Sequence, residues 1–192
     1  MEHLVLDLTK QMAAKEPNLF DKTVPIVKHG KTYHCYIDSD IEEPECYSEL
    51  CYLLTIAAAT DTVILHINSG GGHINSAFKI LASLQRTKAK TIARLTGTVA
   101  SAGTIIALRC KALEVEDFTH FMVHNYSTGT QGKGHEVLDY ISFNDRDLQK
   151  TFREIYKGFL SEKEMLEVLR GKDMWLGAED VRKRWANKGK TK

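Results

Sequence analysis

The sequence predicts an α/β layered fold, and three observations carry that expectation. Thr62 to Ile67 (TVILHI) is a continuous apolar run of strand length, the pattern of a strand buried on both faces, and Asn68 to Gly72 (NSGGG) ends it abruptly. Ile74, Ala77, Phe78, Leu81 and Leu84 then recur at helical spacing. The same order follows again, with a strand at Thr91 to Leu95, a turn at Thr96 to Val99 and a helical run from Ser101 to Cys110. Strands alternating with helices argue for a layered α/β architecture and against an all-β one.

The remaining elements fall around this middle. Leu4, Leu8 and Met12 suggest a short N-terminal helix, and Pro17 and Pro25 bracket a loop. Thr32 to Ile37 (TYHCYI) has the aromatic and β-branched character of a strand, and Glu45 to Ala59 carries a helical pattern through Leu50, Leu53 and Leu54. A third strand, Thr119 to Val123, leads into a glycine-rich loop from Tyr126 to Gly134. Val137, Ile141, Leu148, Phe152, Ile155 and Phe159 then sustain an apolar stripe longer than one small core needs, so part of this helix is expected to pack against another chain. Ser161 and Glu164 form a capping box before Met165, Leu166 and Leu169, and a last short helix is expected over Ala178 to Trp185.

With three prolines among 192 residues and no Ser- or Gly-rich linker, residues 1–192 read as a single domain. A net charge of +1 argues against a general polyanion binder, and nucleic acid is not an expected partner. Only the tail, residues 182–192, is distinctly basic, and such a segment is ordinarily a solvated terminus. The most apolar run, Leu53 to Ala59, is too short to span a bilayer. Cys35, Cys46, Cys51 and Cys110 include no C-x-x-C pair, and Cys35 and Cys110 lie in apolar runs. A cytoplasmic, reduced chain with neither metal nor cofactor is the expectation.

Four features could carry chemistry. Ser101, in Thr98-Val-Ala-Ser-Ala-Gly103, stands at the mouth of a helix, where a serine is ordinarily an N-cap. The same place can expose Oγ beside free helix N–H groups, although Val99 breaks the G-x-S-x-G elbow pattern. Gly70 to Gly72 reads as a tight turn, or as a loop that lets backbone N–H groups approach a carbonyl closely; neither phosphate-binding glycine motif is complete. His124 ends the third strand, and Asp173 looks like a cap or a surface acid. Their order says more than any one of them.

Ile67-Asn-Ser-Gly-Gly-Gly72, Gly97-Thr-Val-Ala-Ser-Ala-Gly103, Met122-Val-His124 and Asp173-Met-Trp-Leu-Gly-Ala178 resemble, in order, the signature blocks of the Clp protease proteolytic subunit (ClpP) family. The resemblance runs from about Thr62 to Ala178. It implies an α/β fold of the ClpP/crotonase type, built of repeated β-β-α units with a protruding long handle helix at about residues 135–159. It also implies a serine endopeptidase with Ser101 as nucleophile, His124 as general base and Asp173 as the acid that orients the imidazole. The N–H groups of Gly71 and Ala102 match the oxyanion hole. Gly71, Gly72, His73 and Ile74, with Asn125, Tyr126 and Ser127, match the segments that hold an extended peptide. The family's assembly implies a homo-oligomer, a heptameric ring or double ring joined through the handle, acting on short or unfolded peptides.

Departures from the family are specific. Gly70 replaces a proline beside the oxyanion hole, and Ala102 replaces a large apolar residue. Residues 1–60 lack the family's axial-loop and N-terminal helix pattern, and Trp185-Ala-Asn-Lys-Gly189 replaces its usual C-terminal ending. These regions meet the family's Clp-type ATPase, so the expectation of that partner is weakened; a divergent member of the kind bacteriophages encode fits the pattern. Two other readings stay open: a non-catalytic ring subunit that binds peptides or regulates another subunit, and a crotonase-type acyl-CoA enzyme. Ser101, His124 and Asp173 together favour the peptidase over the first, and His124, where a glutamate base belongs, favours it over the second. A Ser–Lys dyad is a lesser relative, disfavoured by the same histidine.

Overall fold

The computed structural model describes residues 23–188, so the expected helix at Leu4 to Met12 lies outside the described residues. The chain runs β1 (Ile26–His29), β2 (Thr32–Ile37), a 3-10 turn (Pro44–Tyr47), α1 (Ser48–Ile56), β3 (Thr62–Ser69), α2 (Ile74–Arg86), β4 (Lys90–Ala100) and α3 (Ala102–Arg109). It continues through β5 (Ala112–Val115), β6 (His120–Val123), α4 (Gly134–Tyr156), α5 (Glu162–Leu169), β7 (Met174–Gly177) and α6 (Ala178–Lys188). The order of the seven-stranded sheet is β1-β2-β3-β4-β6-β7, with β5 also paired to β4. Strands β2 to β6 pair in parallel, and the outer pairs β1–β2 and β6–β7 are antiparallel.

Each step from β2 to β3, β4 and β5 moves the same way across the sheet. Right-handed crossovers therefore stack α1, α2 and α3 on one face. That face is the core: Cys35, Ile37, Val63, Leu65, Ile67, Ala93 and Leu95 are buried with Leu50, Leu54, Ile80, Leu84, Ile105 and Ile106. The opposite face is not the apolar surface expected of a strand buried on both sides. Tyr36, His66, Arg94 and Glu114 form one cross-strand row there, with Tyr36 stacked on His66 at 4.4 Å and Arg94 paired to Glu114 at 2.7 Å. Cys35 and Cys110 are buried free thiols, and burial pushes both up to about 12.

Where a turn is expected at Thr96 to Val99, β4 instead continues to Ala100. The register with β3 slips between the pairs Ile67–Leu95 and Ser69–Val99, and Asn68 Oδ1 accepts the Thr98 N–H at 3.1 Å in place of a ladder bond. Gly97 holds φ 59 at this bulge, where a Cβ would lie 2.7 Å from Asn68 Oδ1. The Thr-Gly-Thr signal marks a bulge within a strand.

The long helix is Gly134–Tyr156, ending three residues before the expected Phe159. Its inner half buries Leu148, Phe152, Ile155 and Tyr156, while Leu138, Tyr140, Ile141 and Phe143 on the outer half are exposed. The cations expected to be solvated in the tail instead tie α6 to the body. Arg182 bonds the Val115 carbonyl and Asp117, and Lys188 Nζ bonds the Leu108 carbonyl at 2.9 Å. Arg184 forks onto Glu164 at 2.7 and 3.0 Å.

Glu164 therefore closes the capping box on Ser161 and anchors α6 to α5. The Arg184 bonds draw its carboxyl from an ordinary 4.5 down to about 2. A depressed acid contributes stability above its unfolded pKa and loses it as the pH falls toward the folded value. Glu164→Gln is expected to lower stability by about 1–2 kcal/mol near neutral pH, the quarter-exposed pair being partly screened, and by much less at pH about 2. Urea unfolding across that range checks it; an equal loss at both ends would refute the assignment.

Candidate functional site

The ends of β4 and β6 and the start of β7 come together and set out the site. Strand β4 runs into Ser101, whose N–H donates to the Met122 carbonyl on β6 at 3.0 Å. β6 runs into His124, and its register with β7 pairs Val123 with Met174. His124 and Asp173 are the residues immediately beyond that last pair. Residues far apart in sequence thus meet at neighbouring strand ends of a mainly parallel sheet, where such folds place their sites.

Ser101 is the conformational outlier. Among the described residues it alone is a non-glycine residue with positive φ, at φ 52 and ψ −124. It occupies the N-cap position of α3, yet its side chain makes no capping bond. The bland N-cap role is therefore excluded, and Ser101 lines a cavity instead. Holding a serine there strains the backbone by about 1–3 kcal/mol, and such strain gathers at functional turns.

The glycines explain the rest of the turn. Gly71 sits at φ 102, and a Cβ on it would lie 2.5 Å from Ser101 Cβ and 2.9 Å from the Ala100 carbonyl. Glycine is required there for close approach as well as for conformation. Gly72 is paired with Ile41 as an isolated bridge: Ile41 N–H donates to the Gly71 carbonyl and His73 N–H to the Ile41 carbonyl, each at 2.7 Å. Gly72's own N–H and C=O take no part in that pairing. The Gly71 N–H donates to Ser69 Oγ at 3.2 Å. Ala102 opens α3, so its N–H belongs to the first turn, where helical partners are lacking.

A cavity of about 490 Å³ gathers Ser101, Ala102 and His124 with Gly72, His73, Ile74, Tyr126 and Ser127. Gly71 touches Ser101 from beneath without lining the cavity, and Asn125 and Asp173 lie outside its wall. Asn125 holds the loop instead: its Nδ2 donates to the Leu169 carbonyl at 3.1 Å, and its Oδ1 accepts the Tyr126 N–H at 2.9 Å. Tyr126 OH donates to Asp145 on α4 at 3.2 Å, and burial and that carboxylate raise its phenol pKa. His73 pairs with Glu43 at 3.3 Å at the cavity mouth. Among the described residues, no hydrogen bond joins Ser101 Oγ to His124, or His124 to Asp173.

Sequence reasoning did not single out the apolar wall, which α2, α3 and α4 supply through Phe78, Ile105, Leu148 and Phe152. It also passed over Thr104 and Tyr156, which share a buried hydrogen bond at 2.6 Å. The only trace of the first is a Ser-x-x-Thr spacing common to many helix starts.

Residues 32–184 match the family model described as Clp protease. A protein of Rhizobium etli named ATP-dependent Clp protease proteolytic subunit 3 is 32% identical over 187 residues, covering 92% of this chain and 89% of its own. A protein of the same name from Rhizobium meliloti is 35% identical over 138 residues, 68% of each chain. Among solved structures, a ClpP1 point mutant from Listeria monocytogenes superposes with a TM-score of 0.60 at 21% identity, covering 92% of this chain and 91% of its own. That likeness shows the fold, which is the ClpP/crotonase type expected from the motif order.

Ser101→Gly is expected to raise the unfolding free energy by about 1 kcal/mol, because the strain relieved at φ 52 exceeds the roughly 0.5–1 kcal/mol of added chain entropy. Chemical denaturation measures it, and a glycine variant less stable than the parent would show the turn to be unstrained.

Proposed function

The chain belongs to the Clp protease family, and on that premise we propose that it is a serine endopeptidase using Ser101, His124 and Asp173. The observation that carries the reading is the Ser101 turn: a strained serine that does not cap its helix, seated on Gly71 and sharing a cavity with His124. A structural serine gains nothing from such a turn, whereas a nucleophile gains an exposed Oγ and the helix N–H groups beside it.

Serine alone is too weakly nucleophilic at neutral pH, so a base must accept its proton. As Oγ bonds to the scissile carbonyl carbon, His124 takes the Oγ proton and the carbonyl electron pair moves onto oxygen. The N–H groups of Ala102 and Gly71 receive that oxyanion, the latter releasing Ser69 Oγ. Collapse breaks the C–N bond and the leaving amine takes the proton from His124. Water, deprotonated by the same imidazole, then hydrolyses the Ser101 ester. Asp173, which like His124 lies immediately beyond the last β6–β7 pair, fixes the tautomer and supports the imidazolium. In the single chain no hydrogen bond links these groups, and on this reading substrate and assembly draw them together.

An extended peptide is held between the segment Gly71, Gly72, His73 and Ile74, where the Gly72 N–H and C=O stand outside the Ile41 pairing, and the loop at Asn125, Tyr126 and Ser127. Packing of the exposed α4 residues Leu138, Tyr140 and Ile141 against another copy makes the protein a homo-oligomer, a heptameric ring or double ring enclosing its sites. Short or unfolded peptides are the substrates that reach such a chamber, and the cytoplasm is the proposed setting.

A fluorophosphonate probe is expected to label Ser101, and His124→Ala to abolish labelling. An assembled protein that stays unlabelled would overturn the peptidase reading in favour of a non-catalytic ring subunit. Asp173→Asn is expected to fold and to lose roughly 10⁴-fold in peptide hydrolysis, because the imidazole takes the wrong tautomer. Sedimentation tests assembly: the parent chain should run as an oligomer at micromolar concentration, and Leu138→Glu with Ile141→Glu should shift it to smaller species. A monomeric parent chain would sink the assembly model.

A further inference from the structure

The last residue of the long helix reaches, through Thr104, the peptide group that follows the candidate nucleophile. Thr104 N–H donates to the Ser101 carbonyl at 3.0 Å, and Thr104 Oγ1 donates to the same oxygen at 2.6 Å. Thr104 Oγ1 also lies 2.6 Å from Tyr156 OH. Both residues are almost fully buried, at 0% and 1% exposure, so this order is set by protein and not by solvent. A hydroxyl has one proton, and a carbonyl oxygen can only accept. With the Thr104 proton spent on Ser101, the shared contact is assigned with Tyr156 OH donating to Thr104 Oγ1. Burial raises the phenol pKa, so Tyr156 stays protonated and a donor across the neutral range.

The Ser101 carbonyl and the Ala102 N–H belong to one planar trans peptide unit and point in opposite directions. Whatever fixes that carbonyl also aims that N–H. Two donors converging on the carbonyl polarise the unit as well, which makes its N–H a stronger donor. We propose that Tyr156, acting through Thr104, is a positioning residue that aims the Ala102 N–H at the reaction's oxyanion. The inference rests on the peptidase reading and deepens it. It concerns neither the nucleophile nor the base, and it gives the base of α4 a task separate from the apolar contacts of its outer half.

The test compares Tyr156→Phe, Thr104→Val and Thr104→Ser with the parent chain, each first shown to assemble. For Tyr156→Phe, peptide kcat and the rate of fluorophosphonate labelling are expected to fall by about 10-fold or more, with KM and the pH profile of kcat unchanged. Affinity for a peptide boronate, whose adduct mimics the oxyanion, should fall in parallel. Thr104→Val should lose a similar factor, the double variant little more than either alone, and Thr104→Ser should restore most of the rate. A Tyr156→Phe variant that loses thermal stability but keeps kcat and boronate affinity would overturn the inference and leave the peptidase reading intact. A parent chain that neither labels nor hydrolyses peptides would remove both together.

Discussion

Everything at the candidate site depends on β4 being longer than its neighbours and paired along both edges. Its first half is flanked by β3 and β5, and its last residues, Thr98 to Ala100, are flanked by β6. A strand held on both sides cannot sway, so the residue after its end inherits a fixed position. That residue is Ser101. The bulge at Gly97 carries β4 past the ordinary ladder, with Asn68 supplying the missing acceptor. It delivers Ser101 to the level where the Gly71 backbone, the end of β6 and the start of β7 converge.

The turn itself joins two opposed demands. Strain at φ 52 works against stability, while two bonds hold the turn: Ser101 N–H to the Met122 carbonyl on β6, and the Ser101 carbonyl from the fully buried Thr104. The closeness of Gly71 to Ser101 adds a steric limit, since even one methyl group would collide there. The chain has thus placed its most constrained backbone where an acyl-transfer site needs accurate positions. Softer elements, such as the loop from Tyr126, are attached by side-chain hydrogen bonds from Asn125 and to Asp145.

Much of this was legible in sequence. The run TVILHI and the helical spacing after Gly72 located β3 and α2 nearly to the residue, because a buried strand and an amphipathic helix impose strong periodicities. The strands β1, β5 and β7 were not foreseen. Each has only four residues, too few for a period of two to show, and none runs into a glycine-rich loop as the equally short β6 does. Ser101 and His124 stood out only through the order of four motifs, and Asp173 looked like any surface acid. The Thr104–Tyr156 pair, 52 positions apart, left no local pattern, since a hydrogen bond between helices depends on packing and not on spacing.

The passage from β5 to β6 carries a consequence for chain length. The Leu95 carbonyl accepts the Glu116 N–H and the Thr119 hydroxyl, each at 3.0 Å, so both ends of that short connection are pinned to one atom of β4. Its tip, Phe118, is 89% exposed and has the look of a place where loops vary freely. It is not one. A single inserted or deleted residue taken up in β6 reverses the pleat, turning Phe121 and Val123 outward and carrying His124 to the other side of the sheet. Two residues restore the phase but shift His124 along the strand by nearly 7 Å, about twice the 3.3 Å rise. Drift in length among related chains is therefore expected to spare this exposed turn and to fall in segments whose ends are not tied to a common atom.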